Sequence, residues 1–306
     1  MNFLEYNQIP IKEVKLYNEK TIASFITDSD SNFDEKTVKS FGEEWLKFNS
    51  FSPKEINVAG SQYFDIIDNK LLNATSVVLD LGCGSGRWTK FVASKVKLVE
   101  AIDPSTAIFS AASLNENETN VRITQASVSN IPFDDETFDF VICLGVLHHI
   151  PNTQQALIDV VKKIKKGGAI LLYLYYNLDN RGILYKMIFR ISTVFRLVIS
   201  KLPHQLKKFC CDCIAVMVYL PLVIVTRGLY KIFGTKNWIK KIPLSYYADK
   251  SFNIIRNDAL DRFGTPLEQR FSKIDIEKMM QSCGLSELKF SENAPYWHVV
   301  GKKING

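Results

Sequence analysis

The chain has 306 residues, 46% of them hydrophobic and 23% charged, the balance of an ordinary soluble globular protein with enough length to bury a sizeable core. Its six cysteines (Cys83, Cys143, Cys210, Cys211, Cys213 and Cys283) are unevenly spaced along a long chain, which excludes a disulfide-stapled scaffold and points to reduced thiols in a cytoplasmic protein. The net charge of +6 is concentrated, because residues 181–245 hold twelve Lys and Arg against one acid, Asp212, while the rest of the chain holds 26 basic and 31 acidic residues.

The N-terminus, MNFLEYNQIPIKEVK, has no basic start followed by an apolar stretch and does not read as a secretory signal. Residues 1–75 read as a helical and irregular segment. Phe41, Trp45 and Phe48 recur at helical spacing, as do Tyr63, Phe64, Ile67 and Leu71, with Ser52-Pro53 between the two sets. An aromatic stripe of this kind is usually core, and a lid is the alternative.

From Ser76 the pattern alternates strand and helix. Val77-Val78-Leu79 is a short β-branched run suited to a buried parallel strand, and a helix is predicted from Trp88 to Ser94. A second strand spans Leu98 to Ile102, and Pro104 and Ser105 open a helix. Further strands are predicted over Val121–Thr124, Phe138–Cys143 and Ala169–Tyr175. The helix from Ala156 to Lys165 precedes the last of these and is expected to stop at Gly167-Gly168. The rhythm lapses over 181–245, where Pro203 and Pro221 read as interruptions. It resumes with a helix from Ile274 to Cys283 and strands at Leu288–Ser291 and Trp297–Gly301. The fold class is therefore α/β, a Rossmann-like, doubly wound, mostly parallel seven-stranded sheet with helices on both faces. The expected division is 1–75, a core of 76–180 with 246–306, and a helical insert of 181–245 after the fifth strand.

The strongest site signal is Val77-Val78-Leu79-Asp80-Leu81-Gly82-Cys83-Gly84-Ser85-Gly86, a strand that ends in a glycine-rich turn opening a helix. Glycines let a ligand approach the backbone, and a helix N-terminus offers N–H groups to an anionic moiety. A dinucleotide site needs Gly-x-Gly-x-x-Gly, but Arg87 stands where its third glycine would fall. Asp80 lies two residues before the first glycine. Asp103 follows the next strand at the spacing suited to a ribose diol, although aspartate is also a favoured cap before Pro104.

With Ile102-Asp103-Pro104-Ser105, Ile131-Pro132-Phe133, Phe138-Asp139, Val146-Leu147-His148-His149-Ile150 and Lys166-Gly167-Gly168 added, the chain resembles the class I S-adenosylmethionine-dependent methyltransferases, in the small-molecule group related to ubiquinone-biosynthesis methyltransferases. The likeness covers residues 75–176 well and 270–302 loosely. It implies S-adenosylmethionine as cofactor. Asp80 would orient the methionine amino group, and Gly82, Cys83 and Gly84 would line the methionyl moiety. Asp103, followed by Pro104, would bind the ribose hydroxyls. Ala126, Ser127 and Val128 would border the adenine, and Leu144 and Gly145 would pass beneath the cofactor. Many relatives carry aspartate where Ser127 stands, a departure that bears on adenine recognition.

An oxygen nucleophile benefits from a general base, and His149, then His148, are the candidates at the rim after the fourth strand. The plain alternative is that they pack the loop before Pro151. Tyr173, Tyr175, Tyr176 and Asn177 end the fifth strand, with at least one of Tyr173 and Tyr175 expected in the core. Trp88 is a candidate cofactor cover. Asp261, Arg262 and Thr265-Pro266 are assigned by the resemblance to a loop near substrate. No metal site is expected, since Cys210, Cys211 and Cys213 lack a partner cluster.

The insert mixes apolar runs with spaced Lys and Arg. Its apolar run Cys213–Val225 is 13 uncharged residues broken by Pro221, short of the ~20 a membrane span needs. Two readings compete: a cationic amphipathic pair lying on the inner face of the membrane, or a helical lid with a solvated basic face. The whole chain thus reads as a methyltransferase of a small-molecule, lipid-linked or glycan acceptor, cytoplasmic and peripheral to the membrane. An RNA methyltransferase using the basic insert and a non-catalytic binding module are the alternatives, and nucleic acid is disfavoured because stacking aromatics are not interleaved with the charge.

Overall fold

The computed structural model describes residues 3–15, 21–27, 32–47 and 51–304. The chain divides into two units, Met1–Asp179 with Leu267–Gly306, and Asn180–Pro266.

In the first unit, β1 (Lys12–Lys15) and β2 (Thr21–Ser24) form an antiparallel hairpin that the sequence did not announce. Each strand is four residues of mixed polarity, too short for a two-residue period to register. Two helices follow, α1 (Glu35–Lys47) and α2 (Pro53–Tyr63), the latter started by a reciprocal cap between Ser52 and Glu55. Phe41 and Trp45 share α1 as their spacing predicts, whereas Phe48 lies outside the described residues.

The alternating region supplies β3 (Val77–Leu81), α3 (Arg87–Ala93), β4 (Leu98–Ile102), α4 (Ile108–Leu114), β5 (Val121–Thr124), β6 (Phe138–Leu144), α5 (Thr153–Lys163) and β7 (Ile164–Tyr173). Pro104 and Ser105 lie in the turn ahead of α4 rather than inside it. Gly167 and Gly168 sit within β7 and do not stop α5. The strand starts at Ile164, directly after the helix, and the irregular register beside Phe138 and Phe140 absorbs the glycine pair.

In the second unit are α6 (Ile183–Ile199), α7 (His204–Ile214), α8 (Leu220–Phe233) and α9 (Phe252–Gly264). It also takes in 246–266. Pro221 does not break the chain here. A π-helical turn, Ala215–Tyr219, joins α7 to α8, and the wider turn shifts pairing to the fifth residue on, past the position that has no N–H. Among the described residues, His204–Phe233 is the one helix long and apolar enough to cross a membrane by length and composition, a correction to the short broken run expected from sequence. The chain then returns to the first unit with α10 (Lys273–Ser282), β8 (Leu285–Phe290) and β9 (His298–Lys303).

The sheet order is β5-β4-β3-β6-β7-β9-β8, with the first five strands parallel and β9 antiparallel to both β7 and β8. β3 and β4 are buried along their whole length, as strands covered on both faces must be. Phe138, Leu79 and Ile170 pack on one face, and Val78, Phe140 and Leu171 on the other. The connections run outward from β3 through β4 to β5 and then return to β6 beside β3. The carboxyl ends of β3 and β6 therefore open a crevice where the order reverses, the place such sheets bind ligands.

Candidate functional site

The turn after β3 is built by backbone pairing. The amides of Gly82 and Cys83 both donate to the Ile102 carbonyl, at 2.8 and 3.0 Å, and the Gly86 amide donates to Cys83 at 2.8 Å. Gly82 has φ +68°, and a Cβ there would run into the Val146 side chain, so glycine is required twice over. Gly86 serves packing: a Cβ would lie 2.5 Å from Asn115 Nδ2, which donates to the Gly86 carbonyl at 3.1 Å and ties α3 to α4.

Asp103 closes the turn from the neighbouring strand. Its Oδ2 accepts from the Gly84 amide at 3.0 Å, and its Oδ1 accepts from the amide and hydroxyl of Ser105 at 2.8 and 2.6 Å. The carboxyl therefore caps the turn before Ala107 and, with lone pairs remaining on both oxygens, still presents a carboxylate beside the glycines; burial pushes its pKa up. Asp80 is buried below, accepting from Thr89 Oγ1 at 2.5 Å, and burial pushes it up to about 7. Cys83 is buried, and burial together with Asp103 and Asp80 raises its thiol well above the usual range, so it is an inert packing group.

The other residues singled out from the sequence lie at or just beyond the carboxyl ends of β4, β5 and β6. Ser127 and Val128 begin a short turn after β5, with Ser127 Oγ 3.1 Å from Ser129 Oγ. Leu144 ends β6, and Gly145 follows at φ +81°, with its amide on the Tyr173 carbonyl. Pro104 is half-buried beside Asp103.

Two observations suit a bound nucleoside. Open space lies where a Gly145 Cβ would stand, and the buried Ser85 hydroxyl in the glycine turn has no hydrogen-bond partner among the described residues. Among the described residues, no group of three or more His, Cys, Asp or Glu side chains is placed to hold a metal.

Helix α1 covers this turn. A Cβ on Gly84 would lie 3.2 Å from Trp45 Nε1, and Arg87 stacks over the Trp45 ring at 5.2 Å. Trp88 instead packs into the core against Tyr63 and Phe64 and is no cover. Phe41, one turn earlier on α1, lies 4.7 Å from the His149 ring.

The two histidines differ in their partners. His149 Nδ1 is 2.7 Å from the Leu267 carbonyl, which can only accept, so Nδ1 carries the proton and Nε2 the basic lone pair. His148 is fully buried and stacked on Tyr175 at 3.8 Å. Its Nδ1 accepts from the Tyr175 amide at 3.3 Å, which puts the proton on Nε2, a buried donor with no partner among the described residues. Burial, then His149 and Arg270, hold its pKa well below the ordinary histidine value, so this ring is neutral. Tyr173 and Tyr175 are both half-buried, and it is Leu172 and Leu174 that fill the core.

Sequence reasoning missed the segment that arranges these rings. Leu267 holds His149, the Gln269 amide donates to the His148 carbonyl at 3.0 Å, and Gln269 Nε2 donates to the Ile150 carbonyl at 2.7 Å. No local signal marks residues 267–269, because their role rests on backbone atoms. It also missed His298, whose ring lies 2.8 Å from the Pro295 carbonyl and 2.7 Å from Asp65 Oδ1. Both ring nitrogens of His298 are committed, which removes it as a base. Asp261 and Arg262 prove to lie on α9, within the second unit and not in a loop, with Arg262 donating to Thr193 Oγ1 at 3.0 Å.

Residues 79–172 match the methyltransferase domain family. The chain is 34% identical over 97 residues to a ubiquinone biosynthesis O-methyltransferase of Rickettsia akari, covering 31% of this chain and only 38% of that relative. It is 26% identical over 190 residues to one of Pseudomonas putida, covering 58% of this chain and 78% of that one. A methyltransferase of Haloferax volcanii, solved in complex with the Trm112 methyltransferase activator, shares the fold with a TM-score of 0.51 at 11% identity, over 90% of this chain and 100% of that chain.

Proposed function

We propose that the chain is a class I S-adenosylmethionine-dependent methyltransferase that methylates an oxygen of a small, largely apolar or lipid-linked acceptor, met at the membrane surface. Support for an oxygen nucleophile comes from the tautomer of His149, the observation on which this reading chiefly rests, and from the O-methyltransferase names of its relatives. The reading makes the enzyme cytoplasmic and peripheral on the inner face of the membrane.

S-adenosylmethionine supplies a methyl group activated on a sulfonium. Asp80 would face its ammonium, Gly82, Cys83 and Gly84 its methionyl chain, and Asp103 with Pro104 its ribose. Ser127 and Val128 would border the adenine, with Leu144 beneath. The Ser127 hydroxyl replaces the carboxylate common in relatives and supplies a neutral acceptor for an amino group. Trp45 would exclude water from the glycine turn. His149 Nε2 takes the proton of the acceptor hydroxyl while the Leu267 carbonyl holds the ring and its Nδ1–H. His148 acts beside it as a neutral donor, through Nε2–H, to a polar group of the acceptor.

The test is methyl transfer from radiolabelled S-adenosylmethionine to a bacterial lipid extract, with bulk tRNA as the competing substrate. Label is expected in the organic phase. His149→Gln is expected to lower kcat roughly 100- to 10,000-fold with cofactor affinity kept, the range for a general base. Label in tRNA alone, or His149→Gln turning over like wild type, overturns the reading.

A further inference from the structure

The second unit carries an apolar surface that its own core does not use. Helix α9 turns Ile255, Ala259 and Leu260 inward, and it packs against α6 and α7. Cys211, Ala215, Tyr219, Val223 and Thr226 form the buried stripe of the long helix, and Arg196 of α6 is buried with its guanidinium on the Thr265 carbonyl at 3.1 Å. The opposite faces remain in solvent. Ile183, Met187, Ile191, Val194, Phe195 and Val198 of α6 are each more than half exposed, and steps of about 100° per residue place them within an arc of roughly 120°. On α8, Pro221, Ile224, Val225 and Ile232 share one exposed face in the same way. Patches of this kind mark an interaction surface rather than chance exposure.

The charge around these faces identifies the occupant. Arg190 and Lys186 border the α6 arc, and Lys231 borders the α8 face. The one acid of residues 181–245, Asp212, is neutralised by a bidentate pair with Arg256 at 2.9 and 2.7 Å. Apolar arcs edged by cations and free of unpaired carboxylate complement an anionic lipid surface, with side chains entering the acyl boundary and Lys and Arg meeting head groups. RNA would satisfy the cations but leave the apolar arcs in water.

We propose that the outer faces of α6 and α8 are a membrane-docking surface that seats the second unit in the plane of an anionic bilayer. The inference deepens the proposed meeting of enzyme and apolar acceptor at a membrane, and it assigns the residues that make contact. The helices lie in the plane rather than span it, because spanning would strip the buried stripe of the long helix, Cys211 to Thr226, from α9 and its neighbours.

Flotation of the full-length protein on vesicles tests this. With vesicles of equal parts phosphatidylglycerol and phosphatidylcholine at low salt the protein is expected to float. Its partition is expected to fall at least tenfold on phosphatidylcholine alone, each basic residue near an anionic surface contributing about fivefold. Ile191→Glu and Ile224→Glu, both at exposed positions, are each expected to lower partition at least tenfold, with sodium carbonate releasing the bound wild type. Arg190→Glu gives a second, salt-dependent readout that needs no change to the apolar face. Wild type that stays at the bottom of the gradient, variants that float like wild type, or protein retained after carbonate each overturn the proposal. Calorimetric binding of S-adenosylmethionine, expected to be unchanged in all three variants, keeps its failure distinct from failure of the methyl-transfer reading.

Discussion

At the scale of single residues, the two buried aspartates of the cofactor turn do different work. Asp103 is held by three donors and is committed to its place, whereas among the described residues Asp80 accepts only from Thr89 and has a pKa lifted to about 7 by burial. A carboxyl whose pKa rises from 3.8 to about 7 on folding contributes stability below 3.8 and loses it as pH climbs through 7. An ammonium beside Asp80 reverses that demand, since it favours the ionised form. Affinity for S-adenosylmethionine is therefore expected to rise by up to about tenfold per pH unit toward pH 7 and to level off above it. Calorimetry from pH 5.5 to 8.5 (about three units, spanning the shifted value) checks this, and Asp80→Asn is expected to flatten the curve. A wild-type profile already flat below pH 7 contradicts the role. Both aspartates were legible in the sequence because each lies at a fixed distance from a strand end. The Leu267 carbonyl that sets the His149 tautomer was not, because a backbone oxygen 118 residues away leaves no mark in residue identity.

At the scale of elements, α1 is the strap of the first unit. Gly42 lets it approach the turn before α4 so closely that a Cβ would lie 2.5 Å from Thr106 Oγ1 and 3.1 Å from the Thr106 amide. Ser110 Oγ then donates to the Trp45 carbonyl at 2.9 Å, and the Leu267 amide donates to Thr37 Oγ1 at 3.3 Å. One helix so reaches from the glycine turn to the histidines. Gly42→Leu is expected to lift α1 at Thr106 and speed cofactor release by roughly tenfold, since covering elements commonly limit release. Stopped-flow tryptophan fluorescence reads this through Trp45, and an unchanged release rate contradicts the strap. The strands Leu98–Ile102 and Val121–Thr124 have the limits the sequence predicts, because apolar and β-branched residues dominate each, and the two exceptions, Glu100 and Arg122, pair with one another at 2.7 Å. The sequence hid elements whose limits depend on partners. The β1–β2 hairpin owes its place to pairing of Ala23 and Phe25 with Gln125, and the long helix survives Pro221 only through its π turn.

At the scale of the whole molecule, two units of opposite character share one chain. The sheet unit holds every residue assigned to cofactor and proton transfer, and the Asn180–Pro266 unit holds the basic excess and the unused apolar faces. Composition marks 181–245, where net positive charge and apolarity rise together, but it leaves 246–266 with the core although they fall in the second unit. It could not show which apolar residues face inward, because that depends on α9 packing within the same unit.

Methyl transfer by this chain requires a nucleoside held at the turn after β3 by the carboxylate at the end of β4. Isothermal titration of S-adenosylmethionine into wild type and Asp103→Ala measures this most directly. One site is expected in the wild type, with affinity lowered about thirtyfold or more in the variant, or about 2 kcal/mol for a lost charged hydrogen-bond partner. A silent wild-type titration, or a variant that binds as tightly as wild type, contradicts it.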